Sequence, residues 1–265
     1  LYHQGGDGGH FRERLVMLTG PARELVREPG KVERYHPDIG QVIIGPRRSG
    51  TAIFKLAEKD LAKVERHYHL ADGPHGRVAG RKADAVEFRA DDGNRFTYRV
   101  WRDVANDLPL QTEILSRDGR VLETFMFAEV TTGQRPKPGN LSFSVPKGVH
   151  RLQRSKLTKG TLPGFMAHMK LPPGYRLDDR FGVPGEQGGT HYFYTDGLAT
   201  LSVFLEKENG EVGVSGKTGD ILQRGALHAC SLKRGDYRIT LLGELPGPAL
   251  RRIATNLAQP SKGGE

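Results

Sequence analysis

Apolar and polar residues alternate with a period of two along much of the chain, and the runs are separated by turns rich in Gly and Pro. That pattern predicts strands with one buried face. Residues 10–18 read as a strand after the turn Gly5-Gly6-Asp7-Gly8-Gly9, and Leu25 to Tyr35 holds two short runs around Pro29-Gly30. Gln41 to Ile44 is a β-branched run. Over 51–70 the alternation stops; Phe54, Leu56, Leu61 and Val64 fall loosely at helical spacing, which predicts a helix. The clearest strands follow. Ala83 to Ala90 ends in the hairpin turn Asp91-Asp92-Gly93-Asn94, and Arg95 to Trp101 returns with Phe96, Tyr98 and Val100 on one face. Leu110 to Ser116, the turn Arg117-Asp118-Gly119-Arg120 and Val121 to Val130, carrying Phe125 and Phe127, complete an antiparallel meander.

Residues 131–147 lose this order and read as a connector of Pro, Gly and Lys. Beyond Leu171-Pro172-Pro173-Gly174-Tyr175 a second unit begins, with a hairpin of His191–Thr195 and Leu198–Glu206 about Asp196-Gly197. Residues 226–232 and 237–243 read as two more strands. Pro248 to Leu257 reads as a helix with Leu250, Ile253, Ala254 and Leu257 on one face. The fold class expected is mainly β, of the α+β kind. The expected domains are 1–135, a basic connector at 136–160, and a small α+β domain at 161–265. No stretch approaches the roughly 18–20 apolar residues that a membrane-spanning helix needs.

Charge changes the picture more than composition does. The net charge is +9, and between Val130 and Leu177 there are nine basic residues and no Asp or Glu. The other 31 Lys and Arg equal the 31 acidic residues, so the excess lies wholly in this stretch. Arg151, Arg154, Lys156 and Lys159 are its densest part. Such a cluster attracts an anionic partner, such as a lipid phosphate or an acidic peptide; the plain alternative is a solvated linker.

Other chemistry is hard to find. Gly45 to Thr51 has the glycine spacing of a phosphate loop but no Lys to reach a terminal phosphate. His67 and His69 would share a face of an extended segment, but no third metal ligand is identifiable, so no metal and no cofactor is expected. The single cysteine, Cys230, sits in Leu227-His-Ala-Cys-Ser-Leu232, the setting of a core thiol and not of a nucleophile. No catalytic residues are assigned, and the chain is not expected to be an enzyme. The basic stretch has few aromatic residues among its charges and no DNA-binding signature, so nucleic acid is not an expected partner.

Several blocks resemble the MucB/RseB family of periplasmic sigma-factor regulatory proteins. They are Gly20-Pro-Ala-Arg-Glu-Leu-Val-Arg27 with Val32-Glu-Arg-Tyr-His-Pro37, and Phe96-Thr-Tyr-Arg-Val-Trp-Arg102 with Ser116-Arg-Asp-Gly-Arg-Val-Leu-Glu123. Further on come Leu171-Pro-Pro-Gly-Tyr175, Tyr194-Thr-Asp-Gly-Leu198 and Ile239-Thr-Leu-Leu-Gly-Glu-Leu-Pro246. Family members carry a helix and a first strand ahead of the hairpin at residues 1–18. The resemblance implies a half-open antiparallel β-barrel of lipoprotein-carrier type with plugging helices, followed by a small α+β domain. It implies a periplasmic, non-enzymatic negative regulator of the envelope-stress response. Such a protein binds the periplasmic segment of a membrane-bound anti-sigma factor, protects it from proteolysis, and is released by lipid of the lipopolysaccharide type. The alternatives are a periplasmic lipid or lipoprotein carrier and a hydrolase of unknown substrate; a homodimer is left open. On this reading Val86, Phe88, Phe96, Tyr98, Val100, Phe125 and Phe127 would line a lipid cavity, or else form ordinary core.

Overall fold

The computed structural model describes residues 1–5, 10–17, 22–46, 64–90, 92–153, 163–167, 169–183, 189–207 and 219–259. The chain divides into two compact units. One holds Leu1–Arg48, Thr131–Leu157 and Phe181–Pro184; the other holds Ser49–Val130, Thr158–Arg180 and Gly185–Glu265.

The first unit is built on a six-stranded sheet. Its strands are β1 (Tyr2–Gly5), β2 (Phe11–Val16), β3 (Glu24–Glu28), β4 (Lys31–His36), β5 (Gln41–Pro46) and β11 (His150–Gln153), in that order across the sheet. Val26, Val32, Tyr35 and Val42 are its buried apolar residues. Arg14 on β2 donates from Nε and Nη2 to Glu24 Oε2 on β3, at 3.0 and 2.7 Å, a cross-strand pair that fixes register. β11 adds parallel to β5, so residues 150–153 of the basic stretch are part of a sheet.

The second unit contains a five-stranded meander: β6 (Tyr68–Val78), β7 (Arg81–Ala90), β8 (Thr97–Asp103), β9 (Pro109–Leu115) and β10 (Val121–Met126). Its spatial order is β10-β9-β8-β7-β6. The third sheet has the order β12-β13-β14-β17-β16-β15. Its strands are β12 (Arg176–Val183), β13 (Gly189–Thr195), β14 (Thr200–Lys207), β15 (Leu222–Arg224), β16 (Leu227–Arg234) and β17 (Tyr237–Gly243). A short helix α1 (Gly164–Ala167) precedes it, and α2 (Gly247–Ala258) follows. Helix α2 starts with Pro248 in its first turn, where a missing N–H costs nothing. It lays Leu250, Ile253 and Leu257 against Leu201, Val203, Leu241 and Cys230 of the sheet. Each of those helix side chains contributes about 1.5–3 kcal/mol by leaving water. The fold is mainly β with α+β character, and none of the three sheets closes into a barrel.

One element differs from its expectation. Of the helix read over 51–70, residues 51–63 lie outside the described residues. Val64 to His67 close a turn, and Tyr68 to Leu70 open β6. Pairing across the sheet decides this: Leu70 registers with Phe88 and Tyr68 with Ala90 on β7. Consequently only His69 is in a strand. His67 belongs to the turn, and its ring packs at Gly174, where an added Cβ would lie 2.2 Å from Nε2.

Candidate functional site

The inward face of the meander is where most of the predicted cavity residues go. Phe88, Phe96, Tyr98 and Val100 are buried, with Val86 packed beside them. Among the described residues, they pack against residues of the third sheet. The same cluster includes Tyr68, Ile114, Leu198 and Ala199 from the β13–β14 turn, and Ala226 from the β15–β16 turn. Two hairpin tips of the third sheet are therefore seated on the meander. Phe125 lies apart on the edge strand β10, half exposed, and meets Phe127 edge-to-face with ring centroids 5.9 Å apart.

A polar network is buried in this joint, and the sequence reading did not foresee it. Arg95, just before β8, donates from Nε to Asp196 Oδ2 at 2.7 Å. The two side chains are 1% and 0% exposed. Tyr68 donates its hydroxyl to the same oxygen at 3.0 Å. The other oxygen of Asp196 accepts the backbone N–H groups of Leu198 and Ala199 at 3.0 and 2.9 Å, which holds the turn in shape. Arg95 also contacts Asp92 and the carbonyl of Pro173. Its guanidinium lies over the rings of Tyr68 and Tyr175, 5.8 and 5.4 Å from their centroids. Gly197 is required here: its φ is +113°, and a Cβ would meet Val64 at 2.9 Å.

The electrostatics follow from burial. Desolvation opposes the charge on Arg95, but the hydrogen bond and charge of Asp196 outweigh it and hold the guanidinium protonated. Burial first, and the Asp196 carboxylate next, push the Tyr68 hydroxyl well above its usual range. Tyr98 is likewise raised, by burial and then by Glu244, which accepts its hydroxyl at 3.3 Å. Glu244 is itself raised by burial, more than the Tyr98 hydrogen bond lowers it. A guanidinium paired to a carboxylate and walled by rings is a structural clasp with no open face toward solvent.

Of the anionic-partner candidates, Arg151 is on β11 with its side chain exposed, 3.7 Å from Glu33. Arg154, Lys156 and Lys159 lie outside the described residues. Cys230 is buried in the core under α2, and burial pushes its thiol up to about 11, the reverse of an activated nucleophile. Among the described residues no three His, Cys, Asp or Glu side chains gather with metal-binding geometry.

The clasp joins two segments that correspond to separate modules in known proteins. Residues 1–158 match the MucB/RseB N-terminal domain, and residues 165–258 match the MucB/RseB C-terminal domain. The chain belongs to the MucB/RseB family. It is 24% identical over 264 residues to the sigma-E factor regulatory protein RseB of Escherichia coli K12, covering 92% of this chain and 76% of that one. It is 25% identical over 265 residues to the sigma factor AlgU regulatory protein MucB of Pseudomonas aeruginosa, covering 97% and 80%. A crystal structure of MucB in complex with MucA(peri) superimposes with a TM-score of 0.67 at 26% identity, over 95% of this chain and 84% of that one. The compact unit that holds the clasp therefore takes strands from both family domains.

Proposed function

We propose that this MucB/RseB-family chain is a periplasmic, non-enzymatic negative regulator of an envelope-stress response. It binds the periplasmic part of a membrane-bound anti-sigma factor, shields that segment from proteolysis, and is released by lipid of the lipopolysaccharide type. The observation that carries this is the similarity, over 95% of the chain, to MucB in its complex with MucA(peri). The inert setting of Cys230 agrees with a binding protein rather than a hydrolase.

Two features bear on the lipid step. Arg151 offers an exposed cation on β11, in the stretch that holds the whole charge excess. Against that, Phe88, Phe96, Tyr98 and Val100 already pack on Leu198, Ala199 and Ala226. An acyl chain would reach them only if the hairpin tips withdrew, so lipid binding and opening of the joint would be one event. A simple carrier needs no second module over the face that holds its cargo, which favours the regulator. The test is titration calorimetry of the chain against the periplasmic segment of the anti-sigma factor from the same organism, with and without lipid A. Saturable binding that lipid A weakens is the expected result. No binding to that segment would overturn the reading.

A further inference from the structure

The clasp is not the only polar tie between the meander and the third sheet. Tyr98 on β8 is fully buried and donates its hydroxyl to Glu244 Oε2 at 3.3 Å. Glu244 directly follows β17, where its backbone N–H is held by the Thr200 carbonyl at 3.1 Å. The two ties differ in how their charge is met. Asp196 has the Arg95 guanidinium at 2.7 Å, whereas Glu244 makes no ion pair among the described residues. A carboxylate drawn out of water without a cation is costly, and a carboxyl that keeps its proton avoids that cost.

The groups around Glu244 come from several elements. β8 supplies the Tyr98 hydroxyl, β10 the carboxylate of Glu123, and the β13–β14 turn the carboxylate of Asp196. The buried Tyr175 hydroxyl also feels the Glu244 charge. On β16, His228 registers with Gly243; its ring stacks on Phe96 with centroids 6.1 Å apart, and its Nδ1 lies 3.3 Å from the Ala226 carbonyl oxygen. Arg95, the cation of the joint, is committed to Asp196 and Asp92. Burial acts most strongly on Glu244 and favours the proton-bound carboxyl. The Tyr98 hydroxyl favours the carboxylate, and the charges of Glu123 and Asp196 oppose it again. Tyr98 and Glu123 belong to the meander, so their influence and much of the burial end when the joint opens. The sign follows: protonation of Glu244 aids closure fully below the ordinary Glu value of 4.5, and that aid is lost as pH climbs through the raised one.

We propose that Glu244 is a protonation-operated latch on the joint: with its proton bound the hairpin tips stay seated on the meander, and with its proton lost they separate more readily. The tie joins the two family domains, since Tyr98 belongs to the N-terminal one and Glu244 to the C-terminal one. Arg95 stays protonated over the same range, so the clasp holds the joint while the latch sets how often it opens. The latch itself does not depend on the proposed function; its consequence for the lipid step does. Opening uncovers Phe88, Phe96, Tyr98 and Val100, so the chain would admit an acyl chain more readily in neutral than in acid surroundings.

The experiment is amide hydrogen exchange of the full chain, without partner or lipid, followed by mass spectrometry from about pH 5 to pH 8 and corrected for the intrinsic pH dependence of exchange. Peptides over residues 96–100 and 198–199 report the joint, and those over 239–242 report unfolding of the whole unit. The joint peptides should be less protected than the β17 peptides at every pH, and their protection should fall at least about threefold across that range. Glu244→Gln, which carries no charge at any pH, should abolish the fall. Should that variant fail to fold, Glu123→Gln at an exposed position should shrink the fall, and Tyr98→Phe, which removes the hydroxyl that favours the carboxylate, should enlarge it. Protection of the wild-type joint that does not change with pH would overturn the latch. A fall that persists in Glu244→Gln would assign the effect to another group, such as His228, and overturn it too, as would a fall left unchanged by both Glu123→Gln and Tyr98→Phe. Joint protection equal to that of β17 at every pH would mean that the tips never open separately, and would also overturn it.

Discussion

Replacing Arg95 with Met removes the cation of the clasp while keeping a side chain long enough to lie between the Tyr68 and Tyr175 rings. Asp196 would then be a carboxylate with no exposed surface and no cation at 2.7 Å. Breaking one side of a buried pair costs about 3–5 kcal/mol, because the remaining charge stays desolvated. The lower end applies here. Asp196 keeps the Tyr68 hydroxyl and the two backbone N–H groups of its turn, so about 3 kcal/mol is expected. With a urea dependence of roughly 2 kcal/mol/M, the unfolding midpoint should fall by about 1.5 M. Asp196→Asn retains an acceptor for the turn and leaves Arg95 with Asp92 and the Pro173 carbonyl, so it should cost less. The double variant Arg95→Met/Asp196→Asn should recover part of the loss, with a coupling of about 1–3 kcal/mol.

The assay follows the single tryptophan, Trp101 on β8, by fluorescence, and the backbone of all the sheets and helices together by circular dichroism. In the wild type both probes should report one transition, because Leu198, Ala199 and Ala226 are core residues of the meander. In Arg95→Met the transitions should separate or shift together to lower urea. A loss below about 1 kcal/mol, the range of exposed pairs, would refute the argument that the pair is structurally buried.

Three further outcomes are expected. Glu244 is raised by burial, so the folded state holds its proton above the ordinary Glu value of 4.5 and stability declines as pH rises from there; Glu244→Gln, which can still accept from Tyr98, should flatten that decline in melting curves taken from pH 4 to 8. The Tyr175 hydroxyl is buried without a hydrogen-bond partner among the described residues, so Tyr175→Phe should leave stability unchanged or raise it by about 1 kcal/mol, whereas a comparable loss would reveal a partner. Changing Arg151, Arg154, Lys156 and Lys159 to Gln should weaken binding to phosphorylated lipid A and flatten its salt dependence with little change in melting temperature; equal affinity and salt slope would mark the stretch as a linker only.

Much of the fold was legible wherever one face of a strand is buried and the other wet. Residues 83–101 read directly as β7 and β8 because their alternation matches that asymmetry, and α2 read from its stripe of Leu250, Ile253, Ala254 and Leu257. β6 did not. Its sequence Tyr-His-Leu-Ala-Asp-Gly-Pro-His-Gly-Arg-Val carries no apolar alternation and bulges between Asp72 and His75; it is a strand because the ten residues of β7 offer it a pairing edge. β11 is four mostly exposed residues that owe their shape to a parallel partner more than a hundred positions earlier. Such information lies in the partner and not in the segment.

The clasp was hidden for the same reason, since Arg95 and Asp196 are 101 positions apart. Read locally, Asp196-Gly197 is a hairpin turn and Arg95 the start of a strand, and no periodicity marks an arginine for burial. Yet the blocks that carry the family resemblance lead to this place. Phe96 to Arg102 supplies Phe96, Tyr98 and Val100; Leu171 to Tyr175 supplies the Pro173 carbonyl and the Tyr175 ring; Tyr194 to Leu198 supplies Asp196 and the turn; Ile239 to Pro246 supplies Glu244. Physics gives the reason these dispersed blocks go together. Changing one member of a buried ion pair alone is costly, a side chain at Gly197 would be strained at φ +113° and would meet Val64, and both constraints act where these blocks come together. Four of the resembling blocks thus meet in the compact unit that takes strands from both family domains. Loosening the Arg95–Asp196 pair therefore perturbs the meander and the β13–β14 turn together.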